Sequence, residues 1–299
     1  MRDVVTRVVL DVDTGIDDAL ALLYAVAHPA LDLGAVTCVS GNVALRQVVQ
    51  NTCSVLDLAE ARDVPVGSGT DTTLLGQGAR PGHRHGANGL GDLPVQASGR
   101  EPQPDTAVEL LSDQLLHAER PVTLLALAPK TNLAMLVRDR LAPIASTVEK
   151  LIFVGGRLTK VHTAQSAEFN VAHDPEAAAI ILGAGLPTTM YGADIFNQVV
   201  VSEAATARLA QADQPAARLA GDLLRVRHGR LIEDAGALVM LTNPELFKVQ
   251  RAPVRIGLHG AERGRTLIDP AAPIIDVVTA VDAAQAAQRF VDVVLDGEE

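Results

Sequence analysis

Short apolar runs alternate with longer Ala- and Leu-rich stretches along most of the chain. The first run, residues 6–12, is short and β-branched, which predicts a buried parallel strand. The stretch 17–27 predicts a helix, with acids in its first turn and Pro29 beyond its end. A strand over 33–39 and a helix over 45–62 come next. Further strands are expected over 122–127, 151–154, 187–191 and 254–258. Helices fill the intervals 107–118, 134–141, 175–182 and 203–210, a long segment from Ala216, then 234–241 and 282–295. Such alternation predicts an α/β fold: a mainly parallel central sheet with helices on both faces. The Gly- and His-rich stretch 67–91 reads as a loop and no internal repeat occurs, so a single domain over 1–299 is expected.

Composition narrows the function. Of 299 residues, 48% are hydrophobic, enough for a substantial core and against global disorder. Aromatics are only 2%, so Leu, Val, Ile and Ala must build that core, and a base-stacking platform is disfavoured. The formal net charge of −11 repels phosphate backbones and anionic membranes, which argues against a nucleic-acid polymer or membrane partner. Neutral small molecules and metal cations stay open. Cys38 and Cys53 form neither a disulfide framework nor a CxxC zinc pattern, which suits a reducing, cytoplasmic setting, and Cys38 reads as a core residue. The N-terminus lacks signal-peptide design, and the longest uncharged run, 177–193, is broken by Gly183, Gly185 and Pro187. Neither a GxGxxG nor a P-loop pattern occurs. The basic run from Arg225 to Arg230 reads as a solvated helix end.

The richest chemistry follows the first strand. Side chains alternate along a strand, so Asp11 and Asp13 share one side; Gly15 allows a turn, and Asp17 and Asp18 open the helix. Four carboxylates therefore gather at the carboxyl end of a parallel strand, where open α/β sheets place ligands. Like charges that close raise one another's pKa unless a cation sits among them, and a hard ion such as Ca²⁺ or Mg²⁺ prefers such oxygen ligands. Asp17 and Asp18 could instead serve the helix terminus, but that leaves the strand pair unexplained.

Residues 9–21, with their Asp11, Asp13, Asp17 and Asp18, strongly resemble the N-terminal signature of the inosine-uridine nucleoside hydrolase family. The resemblance continues through Ser40-Gly41-Asn42, His85-Gly86-Ala87-Asn88-Gly89, Pro129-Lys130-Thr131-Asn132, Glu168-Phe169-Asn170 with Asp174-Pro175, and the closing Val281-Asp282 with Phe290. It implies a Ca²⁺-dependent N-ribohydrolase of nucleoside catabolism or salvage, a small-molecule nucleoside substrate, and assembly as a homodimer or homotetramer. It further implies that Asp13 binds the metal and takes a proton from the attacking water. Asp18, the Thr131 carbonyl and Asp234 would complete the protein's metal ligands. Asp17, Asn42, Glu168 and Asn170 match sugar-binding positions, with His85 near the base and Asp234 also within substrate reach.

Local readings compete at several of these positions. Asn42 could be a turn residue after Gly41, Glu168 and Asn170 could belong to a loop ahead of Asp174-Pro175, and His85 could be an exposed loop histidine. Two positions depart from the family pattern. Many members carry His where this chain has Glu233, so protonation of the leaving base would fall to Glu233 if burial raises its pKa; alternatively the leaving group needs no acid from this position, or His228 or His162 supplies it. His162 also stands where the family often has a sugar-contacting Asn. Two other functions stay open: a nucleoside- or ribose-binding protein without catalysis, and a Mg²⁺-dependent haloacid-dehalogenase-type phosphatase, whose opening motif Asp11-Val12-Asp13-Thr14 also resembles.

Overall fold

A computed structural model describes residues 5–78, 84–158 and 167–297. The chain opens with β1 (Thr6–Val12), α1 (Ile16–Ala27), β2 (Leu31–Cys38), α2 (Leu45–Leu58), β3 (Val66–Ser68) and β4 (Gln103–Thr106). It continues through α3 (Ala107–Leu116), β5 (Val122–Ala126), α4 (Thr131–Ile144), β6 (Val148–Val154), α5 (Phe169–His173), α6 (Pro175–Gly183) and β7 (Thr188–Tyr191). The last part holds α7 (Ala193–Phe196), α8 (Glu203–Ala210), α9 (Pro215–Val226), α10 (Glu233–Thr242), β8 (Phe247–Ile256), β9 (Thr266–Ile268), β10 (Ile274–Val281) and α11 (Ala283–Asp296).

Among the described residues, ten strands form one sheet in the order β4-β3-β2-β1-β5-β6-β7-β10-β8-β9. Strands β4 through β10 in that order are parallel, and β8 and β9 add an antiparallel edge. Apolar side chains alternate between two cores: Val8, Leu10 and Val12 of β1 pack with α1, α9, α10 and α11, whereas Val9 packs with α3, α4 and α6 on the other face. The α/β architecture expected from the sequence is present, a single mixed domain with helices on both faces. The chain leaves β1 towards β2 and returns to place β5 on its other side, so strand order reverses at β1 and opens a crevice at the strands' carboxyl ends. No described helix is long and apolar enough to cross a membrane.

Several boundaries differ from expectation. The helix expected over 45–62 stops at Leu58, and Glu60 adopts a left-handed φ of 61° that turns the chain. The stretch read as loop from 67 begins inside β3. The strand expected over 254–258 is the tail of a ten-residue strand whose residues 248–251 are exposed, so no apolar run announces its start.

Candidate active site

The crevice holds a cavity of about 710 Å³, lined by Asp13, Asp17, Asn42, His85, Glu168, Asn170, Arg227, Glu233 and Asp234 among others. That volume falls in the range typical of small-molecule sites, about 300–1,000 Å³. Five of these contributors, with Asp18 beside them, stand where parallel strands end. Asp13 follows β1, Asp17 and Asp18 fill the first turn of α1, Asn42 follows β2, and Glu168 and Asn170 open α5 after β6. The first turn of α10 brings Glu233 and Asp234 across from the far end of the sequence.

Backbone amides hold the floor. The Asp18 carboxylate accepts the Gly15 N–H at 2.9 Å and the Asp13 N–H at 3.2 Å, an N-terminal cap that also joins strand to helix. Asp13 Oδ2 accepts the Asn42 N–H at 2.7 Å; a Cβ on Gly41 would strike this carboxylate, so only glycine lets the β2 loop approach. Ligand oxygens of Asp17, Asp18 and Asp234 lie within 4.8 Å of one another, the one cluster of metal-ligating side chains among the described residues. The expected ligand set contained Asp13 rather than Asp17; Asp13 adjoins the cluster through its amide bond to Asp18.

Burial dominates the electrostatics. It raises the Asp13 carboxyl well above the ordinary value, helped by the Asp18 and Asp17 charges, and raises Asp234 likewise. Burial and the neighbouring Asp17 raise Asp18 to about 7. Asp17 is the exception: burial opposes its ionisation, yet His85, Arg227 and a hydrogen bond from Glu233 hold it at about 2. Its Oδ1 is buried without a hydrogen bond, with His85 Nδ1 3.4 Å away. Converging oxygens, a buried carboxylate oxygen without a hydrogen bond and charges that cannot all coexist fit a hard divalent cation, and the donor set contains no sulfur or imidazole.

Other predicted residues sort by geometry. Asp11 sits below the cavity: Oδ1 accepts from Thr37 Oγ1 at 2.6 Å and Asn132 Nδ2 at 2.9 Å, and burial raises it to about 6. Thr131 starts α4, and its hydroxyl donates to Asp174 Oδ2 at 2.8 Å. Glu168 accepts the N–H groups of Gly156, Asn170 and Val171, so it caps α5 as well as facing the cavity, and Asp174 caps α6. Asn170 Nδ2 donates to the Leu127 carbonyl at 2.5 Å. His85 is only 3% exposed, against the exposed-loop reading. Its Nδ1 accepts the Ile16 N–H at 3.0 Å and lies 3.4 Å from Asp17 Oδ1; burial lowers its pKa, against the pull of Asp17. His162 lies outside the described residues, and His228 is exposed.

Two residues escaped the sequence reading. Lys130 is fully buried, with Nζ donating to the carbonyls of Ala128 and Val154 and lying 4.7 Å from the Phe153 ring centroid; burial lowers its pKa to about 8. Its one signal was a cation between an apolar strand and Thr131. Arg227, expected in a solvated helix end, is 6% exposed and lines the cavity. Its Nη2 lies 2.7 Å from Glu233 Oε2 and 4.0 Å from Asp17 Oδ2. Burial and Asp17 raise Glu233 to about 8, and its backbone takes a φ of 23°, an unfavourable region for a non-glycine residue.

A model of the family described as inosine-uridine preferring nucleoside hydrolase matches residues 8–288. The chain is 33% identical over 274 residues to the non-specific ribonucleoside hydrolase RihC of Salmonella enteritidis, covering 88% of this chain and 87% of that one. It is 32% identical over 274 residues to the pyrimidine-specific ribonucleoside hydrolase RihA of a Shewanella species, covering 88% and 86%. In fold it resembles the plant nucleoside hydrolase PpNRh1 with a TM-score of 0.91 and 26% identity, covering 98% of this chain and 99% of that one. The purine-preferring ribonucleoside hydrolase from Gardnerella vaginalis gives a TM-score of 0.91, 25% identity and the same coverage. A match in sequence and fold over nearly the whole length means that the chain belongs to the inosine-uridine preferring nucleoside hydrolase family and is an N-glycosidase.

Proposed function

We propose that the protein hydrolyses ribonucleosides to ribose and free base, with Ca²⁺ held by Asp13, Asp18, Asp234 and the Thr131 carbonyl. The convergence of Asp17, Asp18 and Asp234 beside Asp13 in one cavity carries this reading. The cation, when bound, supplies Lewis-acid polarisation of its water and hydroxyl ligands. Asp13 accepts the proton of the attacking water, and the Asn42 N–H fixes its carboxylate for that task. Asp17, Asn42, Glu168 and Asn170 bind the ribose, whose hydroxyls both donate and accept. The surrounding carboxylates favour the positive charge that develops on the sugar ring as the glycosidic bond stretches. Glu233, which burial favours in its protonated form, delivers a proton to the departing base. We place the enzyme in the cytoplasm as a homodimer or homotetramer, on family resemblance.

A panel of purine and pyrimidine nucleosides assayed for free ribose tests the reading. Ribose release that stops with chelator and returns with Ca²⁺ is the expected result. Nucleoside binding without ribose release, or phosphate release from sugar phosphates alone, would reject it.

A further inference from the structure

Expelling a nucleobase is difficult because the C1′–N electron pair stays on the base nitrogen, which is a poor anion unless something positive meets it. The wall beyond the carboxylate cluster contains such a charge. Arg227 adjoins the cluster through Asp17 and Glu233, its side chain is only 5% exposed, and its Nε is buried without a partner. A guanidinium has donors only and keeps its charge at every working pH. Of its two acidic neighbours only Glu233, at 2.7 Å, is within hydrogen-bond reach, Asp17 lying at 4.0 Å, so the ion pairs leave part of the donor set of a cavity-lining side chain unspent. A buried cation that lines the cavity with donors beyond those its ion pairs use points to a ligand acceptor that the free protein lacks.

We propose that Arg227 is a catalytic residue of the base side, placed to stabilise the negative charge that grows on the leaving nucleobase. The inference rests on the proposed nucleoside hydrolysis. In this step the C1′–N bond breaks and its electron pair passes to the base nitrogen. The water oxygen bonds to C1′, its proton goes to Asp13, and the base is protonated from Glu233 as it departs. Arg227 donates hydrogen bonds to the base while charge builds and gives up no proton itself. It is therefore needed only where the leaving group is poor.

That requirement supplies the test. Ribose release is measured from inosine and uridine, and phenol release from p-nitrophenyl β-D-ribofuranoside, whose phenolate departs unaided. Arg227→Gln removes the charge but can still hydrogen-bond Glu233. It is expected to lower kcat on the nucleosides by about 10²–10³-fold, the usual loss for one preorganised donor at developing charge. Turnover of the phenyl riboside falls by a much smaller factor, that of the shared ribose contacts, and Arg227→Lys, which keeps the charge, retains more nucleoside turnover than Arg227→Gln. An equal fall on both substrate types would reduce Arg227 to a structural counter-ion, and undiminished nucleoside turnover in Arg227→Gln would remove it from the chemistry. Thermal unfolding monitors folding; if Arg227→Gln does not fold, Arg227→Lys must still lose more on nucleosides than on the phenyl riboside. A parent enzyme that cleaves neither substrate type would defeat the hydrolase reading itself, a different outcome from either of these.

Discussion

At the scale of single residues, the site is set by backbone amides aimed at carboxylates. Asp13 and Asp18 each receive N–H donors from the segments that flank them, so both side chains are oriented before any ligand arrives. In Asp13→Ala the water-activating base and a proposed metal oxygen vanish together, while the Asn42 amide loses its acceptor. General-base loss alone typically costs about 10²–10⁴-fold, so kcat for ribose release should fall at least that far. Retention of near-parental turnover would take Asp13 out of both roles. The aspartates were legible in the sequence because four acids within eight residues, at the end of an apolar run, have few structural uses. Arg227 was not: an arginine at a helix end is ordinarily solvated, and its burial depends on Asp17 and Glu233, which only the fold brings beside it.

At the scale of elements, α10 carries two site residues and must sit at a set height over the sheet. Gly236 makes this possible, because a Cβ there would collide with the Tyr191 hydroxyl at the end of β7. Tyr191 is fully buried. Gly236→Ala should therefore push the first turn of α10 outward, at about 1–3 kcal/mol of stability for overpacking. Displacing Asp234 and Glu233 should lower nucleoside turnover by more than the loss of folded protein explains, which paired urea unfolding and ribose-release assays would show. An unchanged kcat per folded molecule would mean that α10 tolerates the shift. The major helices and central strands were legible because their apolar periodicity is long and unbroken. The short β3, the exposed β4 and the polar start of β8 were not, since pairing with neighbours rather than their own side chains makes them strands.

For the whole molecule, the order reversal at β1 gathers acids from both ends of the chain into one buried place, and that has a stability consequence. In metal-free protein, Asp11, Asp13, Asp18 and Asp234 titrate above their ordinary value of 3.8, with Asp11 at about 6 and Asp18 at about 7. The folded state then binds more protons than the unfolded chain between those limits, so stability must fall as pH rises through that window. Glu233, raised to about 8, adds to this trend, whereas His85, lowered by burial, acts in the opposite sense as one group against five. Asp17, held at about 2, contributes only at lower pH, and Lys130, lowered to about 8, only above it. Cation binding requires the ionised carboxylates, so its stabilisation grows in the direction in which the metal-free protein weakens. With chelator, the unfolding midpoint should therefore be higher near about pH 5 than near about pH 8. Ca²⁺ at about 100 times its dissociation constant adds about 2.7 kcal/mol, or about 5 °C for a chain of this size, at the higher pH and much less at the lower. A midpoint that rises with pH in chelator, or one indifferent to Ca²⁺ at the higher pH, would mean that these carboxylates are neither crowded nor coordinating.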